Sequence, residues 1–95
     1  MEFEWDPAKA AANLTKHGVT FSEASTIFGD PFEVTIPDPA HSEGEARFLS
    51  LGLSVESRLL VVAYTERAGR IRIIHARLAA AKERKAYESG RQSEF

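Results

Sequence analysis

The side chains best suited to chemistry crowd into one stretch, RLLVVAYTERAGRIRIIHARLAAAKERK, residues 58–85. It holds eight basic residues against two acidic ones, 8 − 2 = +6, and one of the chain's three histidines, His75. Arginine offers a planar fork that matches phosphate oxygens and stays charged at any working pH. An imidazole gains and loses its proton near neutrality. Arginines beside a histidine therefore point to an anion and to proton transfer. The chain has no cysteine, so thiol chemistry and disulfides are excluded, and no two histidines stand at metal-ligand spacing.

The formal net charge of −2 argues against a nucleic-acid partner, but its distribution argues for one. Residues 1–57 carry three Lys/Arg and ten Asp/Glu, 3 − 10 = −7, ahead of the +6 segment. This asymmetry fits a polyanion-facing half beside an acidic surface; it also fits two solvated faces with no ligand. At 95 residues, 43% hydrophobic and 27% charged, the composition is that of one soluble globular domain. No apolar run approaches a membrane span of about 20 residues, and the acidic N-terminus has no signal core, so a cytoplasmic location is expected.

The elements that must position these residues follow from pattern. Residues 58–66 form an apolar run suited to a strand, 67–69 a Gly-containing hairpin loop, and 70–77 a second strand with arginines between isoleucines. Residues 79–88 are rich in strong helix formers. Upstream, Glu2-Phe3-Glu4-Trp5 alternates like an edge strand. Asp6-Pro7 opens a helix that Gly18 stops, with Ala8, Ala11, Ala12 and Thr15 as its stripe. Thr20-x-x-Glu23 has the form of a capping box for a second helix, carrying Phe21, Ala24, Ile27 and Phe28 inward. Neither helix has the basic face of a DNA-reading helix-turn-helix. Residues 32–36 and 45–53 read as strands around a proline-broken loop. The order β-α-α-β-β-β-β-α predicts an α+β fold: two N-terminal helices packed on a four-stranded antiparallel sheet, then a C-terminal helix. The first strand is free to join the sheet's edge. Residues 1–88 are expected to form the domain and 89–95 a frayed tail.

Three groups of residues carry a resemblance. They are Phe3-Glu4-Trp5-Asp6-Pro7-Ala8-Lys9 with Asn13 and Lys16-His17-Gly18-Val19-Thr20-Phe21; Glu45-x-Arg47; and Ile73-Ile74-x-Ala76-Arg77 with Glu83-Arg84 and Tyr87-Glu88. In order and spacing they resemble the BrnT family, the toxins of bacterial BrnT–BrnA type II toxin–antitoxin pairs. The resemblance implies a RelE-like fold and a metal-independent endoribonuclease, without cofactor, that arrests translation. It also implies a BrnA-like ribbon-helix-helix antitoxin that neutralises the toxin in a hetero-oligomer and alone contacts operator DNA. Two positions depart from the family pattern: His75 stands where Ser is usual before the Ala-Arg pair, and Ala80 where Ser or Thr is frequent. The alternatives are a non-catalytic toxin-like subunit kept for antitoxin partnership and transcriptional control, or a plain RNA-binding module.

RNA carries its own nucleophile, the 2′-hydroxyl, so cleavage needs a base, an acid and cations around the phosphorane, and no metal. Arg77, at a strand-to-helix junction, is the first candidate for stabilising the transition state; a salt bridge to Glu83 is its structural alternative. His75 is the candidate acid or base, or else a packed strand histidine. Glu45 and Arg47, two apart on a strand, suit a catalytic carboxylate–guanidinium set or a cross-strand ion pair. Candidate RNA contacts are Lys16 and His17 at the end of the first helix, where the alternative, favoured for His17, is to offset the negative end of the helix dipole; Tyr64, Arg67, Arg70 and Arg72 on the hairpin, where Arg70 and Arg72 suit a solvated strand face equally; and Arg84 and Lys85 on the last helix. A three-residue hairpin loop would set Tyr64 and Arg72 on one face with Glu66 and Arg70; a one-residue change of register would separate them. Tyr87 suits either base stacking or the core.

Overall fold

The computed structural model of the chain describes residues 1–42 and 44–90. Strand β1 (Glu2–Glu4) leads into helix α1 (Pro7–His17) and the short helix α2 (Phe21–Ser25), which tightens into a 3-10 turn, Thr26–Gly29. Strands β2 (Val34–Pro37), β3 (Arg47–Leu53), β4 (Leu59–Arg67) and β5 (Arg70–Leu78) follow, then helix α3 (Ala81–Ser89). The sheet is five-stranded and mixed, in the order β1-β5-β4-β3-β2. Four strands pair antiparallel as expected. The correction is β1, which joins the β5 edge in parallel, Phe3 opposite Ile71. Ser89 and Gly90, expected in a tail, instead finish α3, Gly90 closing it at φ 70°; the remaining tail residues, 91–95, lie outside the described ones.

The two sheet faces are covered unequally. On one face Phe21, Ala24 and Ile27 pack with Val19 against Leu60, Val62, Tyr64, Ile71, Ile73 and Ala76. On the other, α3 sets Ala86 and Tyr87 over Val34, Leu51, Leu59 and Val61, covering only that end. Helix α1 departs from expectation. Its Ala8, Ala11, Ala12 and Thr15 stripe is exposed, and Asn13 is its buried residue. Asn13 Oδ1 accepts from Ala76 N at 3.1 Å, and its Nδ2 donates to Ala76 O at 2.8 Å and to Val19 O at 3.0 Å. A polar anchor thus caps the edge of β5 beyond β1, where open backbone groups would otherwise lie. Both N-terminal helices thus reach the sheet, α2 and the 3-10 turn through the core residues of its face and α1 through Ala10 and Asn13 along β5.

The β4–β5 hairpin sets everything that follows. Its loop has two residues, Ala68 and Gly69, because Arg67 pairs with Arg70. Both loop residues take positive φ, 51° and 79°, the turn whose twist matches the flanking strands. This register places Tyr64 opposite Ile73 and Arg72 opposite Thr65, so Tyr64 and Arg72 occupy opposite faces. The three-residue loop, and the shared face it would have made, are corrected accordingly. One further irregularity intervenes: Tyr64 pairs with Ile73 and Ala63 with His75, leaving Ile74 as an inserted residue. The bulge turns His75 and Arg77 onto the face that carries Arg72 and, through Thr65, Arg47.

Candidate active site

His75 is the centre of this face. It is half-buried, and burial holds its imidazole below the usual value, with the charges of Arg47, His17, Arg77 and Lys16 pushing the same way. The ring is therefore neutral at pH 7 and able to accept a proton. Its Nδ1 is buried and has no hydrogen-bond partner. The His17 ring, from the last turn of α1, stands 5.8 Å away centre to centre and 33° from parallel. Between α1 and β5 opens a cleft of about 230 Å³ lined by Lys9, Ala12, Asn13, Lys16, His17, Ile74 and His75. His75, Arg77, Arg47, Lys16 and His17 are thus brought together by three separate elements.

Most of the arginines here hold carboxylates. Arg77 grips Glu83 in a two-pronged pair, 2.8 Å from Nη1 and 2.6 Å from Nη2, so the alternative helix-start salt bridge is formed. That pair raises the arginine and holds the Glu83 carboxyl below the usual range. Arg47 Nε lies 3.5 Å from Asp38 Oδ2, an ion pair too long and poorly aligned to satisfy the buried Nε–H. Asp38 also meets His41 at 3.1 Å. Towards the hairpin tip Arg72 pairs with Glu4 at 2.8 Å and Arg70 with Glu2 at 3.1 Å.

Not every candidate joins the group. Glu45 precedes β3 and forms a two-pronged bond to Arg67, 2.8 and 2.9 Å, which holds its carboxyl below the usual range. It forms the cross-strand ion pair, at the hairpin end of the face that also carries Thr65 and Arg72. Tyr64 lies in the core on the opposite face, its hydroxyl accepting from Ser50 Oγ at 3.1 Å and its ring against Phe28 and Phe48. It cannot contact RNA from there. Arg84 and Lys85 are exposed on α3. Tyr87 donates to Asp30 Oδ2 at 2.6 Å and is pushed up to about 12 by burial and that carboxylate; it ties α3 to the chain after the 3-10 turn rather than presenting a ring for stacking.

Two roles were hidden in the sequence. Asn13 anchors α1, and nothing in a lone helical asparagine signals that. Glu23 reads as the second half of a capping box, and Thr20 does accept from Glu23 N at 3.0 Å. The Glu23 carboxylate, however, is buried against Arg58 and accepts from Ser54 Oγ at 2.7 Å. That pairing joins α2 to the β3–β4 turn and takes Arg58 away from the basic face. Among the described residues, no three His, Cys, Asp or Glu side chains converge to hold a metal ion.

The crystal structure of the Brucella abortus ribonuclease toxin BrnT is similar to this chain, with a TM-score of 0.67 at 19% identity over 84% of this chain and 97% of that one. At that identity the likeness speaks for the fold, a BrnT-like α+β arrangement, coarser than the RelE-type description expected. No functionally curated protein matches. The profile of the BrnT ribonuclease toxins of type II toxin–antitoxin systems matches residues 5–83, and the chain belongs to that family.

Proposed function

We propose that this protein is a metal-independent endoribonuclease that cleaves RNA to a 2′,3′-cyclic phosphate end. The observation that carries this reading is the half-buried His75 with Arg47 and Arg77 on its sheet face and Lys16 and His17 facing it from α1. His75 takes the proton of the 2′-hydroxyl, whose oxygen attacks the adjacent phosphorus. Arg77 and Arg47 hold the charge that builds on the phosphorane oxygens, with donors fixed before the reaction begins. The 5′ oxygen departs with a proton. Loss of RNA in the cytoplasm arrests translation. A BrnA-like ribbon-helix-helix antitoxin neutralises the toxin in a hetero-oligomer and alone carries the pair to operator DNA.

The two-pronged Arg77–Glu83 pair favours a second reading, a toxin-like subunit or RNA-binding module in which Arg77 is structural. RNA incubated with the protein and EDTA decides between them. Fragments ending in 2′,3′-cyclic phosphate are expected; binding without cleavage would overturn the ribonuclease reading.

A further inference from the structure

Cleavage needs an acid as well as a base, and that part is so far unassigned. The two imidazoles are close enough for the oxygens of one phosphodiester to reach both, in a cleft whose rim carries Lys9 and Lys16. Their relative placement is fixed by one side chain. Asn13 bonds Val19 O, two residues past His17, and both backbone groups of Ala76, the residue after His75. Among the described residues no hydrogen bond joins the rings, and the buried His75 Nδ1 is left without a partner. A buried unsatisfied group is rare in a native fold, and a catalytic role is one explanation for it.

We infer that His17 is the second catalytic imidazole: it protonates the departing 5′ oxygen while His75 takes the proton of the attacking 2′-hydroxyl. The step balances within the substrate and the two rings. The O2′–P bond forms, the P–O5′ bond breaks, His75 gains a proton and His17 loses one, and no co-reactant is consumed. The division of labour follows position. His17 ends α1 and faces the ring of His75 from the helix side of the cleft. His75 sits deeper among Arg47, Arg77 and Lys16, which favour its neutral form. The charged groups facing the pair are thus Arg47 from β3, Arg77 from β5, and Lys16 and Lys9 from α1.

This rests on the ribonuclease reading, and the test separates the two. Full-length wild type, His17→Gln and His75→Gln, each checked for a native melt, are assayed on an RNA oligonucleotide and on uridine 3′-(4-nitrophenyl phosphate). Nitrophenolate leaves without a proton, so it needs the base but not the acid. His17→Gln is expected to lose about 10²- to 10⁴-fold on RNA and to keep its rate on the nitrophenyl ester within a few-fold. His75→Gln is expected to lose both activities. The alkaline limb of the wild-type pH–rate profile on RNA should vanish in His17→Gln. Equal losses on both substrates, or no loss on either, overturn the role of His17 and leave the ribonuclease reading standing. A wild type that cleaves neither substrate removes that reading and this inference together.

Discussion

Replacing Ala80 with serine should stabilise the protein without changing cleavage. Helix α3 begins after Ala80, whose backbone is extended at φ −82° and ψ 170°. Half of a capping box is already built: Ala80 N donates to Glu83 Oε1 at 2.7 Å. The other half needs an acceptor at position 80 for the Glu83 N–H, and a methyl group provides none. A serine hydroxyl in the same backbone would accept that bond, worth about 1 kcal/mol. For a domain of this size that is roughly 4–8 °C in melting temperature. A thermal melt reads the gain directly, and amide exchange in residues 81–85 should slow. Since His75 and Arg77 lie on β5, cleavage should hold. A lowered melting temperature would mean that the cap geometry is not used. A rise in stability with collapse of cleavage would mean that the strand–helix junction must flex, and a rigid phosphate site at Arg77 would have to be abandoned.

Four further outcomes are expected. Arg77→Ala should leave the fold intact and reduce cleavage by about 10²-fold, or ~3 kcal/mol of transition-state stabilisation; growth arrest at the wild-type level by the folded variant would remove Arg77 from the site. RNA affinity should fall steeply with salt as the basic face releases counterions, measured by fluorescence anisotropy across a salt series; a flat response would place the footprint elsewhere. Asn13→Ala strips Ala76 of both its edge partners, so a loss on the order of 2 kcal/mol or more is expected in urea unfolding, and an unchanged midpoint would show that water replaces the side chain. Glu23→Gln should cost stability at pH 7. Its bond to Arg58, aided by Ser54 and by charge, outweighs burial and holds the Glu23 carboxyl below the usual range. A depressed carboxylate contributes above its unfolded value of about 4.3 and loses that contribution as pH falls through the folded one. The gap between wild type and Glu23→Gln in urea midpoint should therefore close on acidification below about pH 4; a gap constant with pH would rule out the ion pair as its source.

Alternation and caps made the element order legible, because those signals are local. Asp6-Pro7 and Gly18 bound α1 as read, with Asp6 Oδ1 accepting from Ala8 N at 3.1 Å and Gly18 at φ 68°. The grouping of site residues was less legible, because it depends on register. One loop residue fewer separated Tyr64 from Arg72, and no propensity distinguishes Arg67 as the last strand residue from Arg67 as the first loop residue. β1 was legible as an edge strand from its alternation, but its parallel pairing with β5 was hidden: a partner at the far end of the chain leaves no hairpin signal.

The bulge at Ile74 is the deeper case. Strict alternation from Ile71 and Ile73 would put His75 in the apolar core and leave Arg77 beside it, an arrangement that buries an imidazole and a guanidinium under Phe21 and Ile27. The inserted residue reverses the alternation, so that Ala76 enters the core and His75 and Arg77 reach the basic face. Ala76 is also the residue whose backbone Asn13 grips from the open edge. The bulge and the asparagine therefore act on the same point of β5, one aiming His75 and the other fixing how far it stands from His17. What joins two histidines 58 positions apart, 75 − 17 = 58, into one site is a backbone irregularity held by a side-chain amide, and neither has a signature in residue type alone.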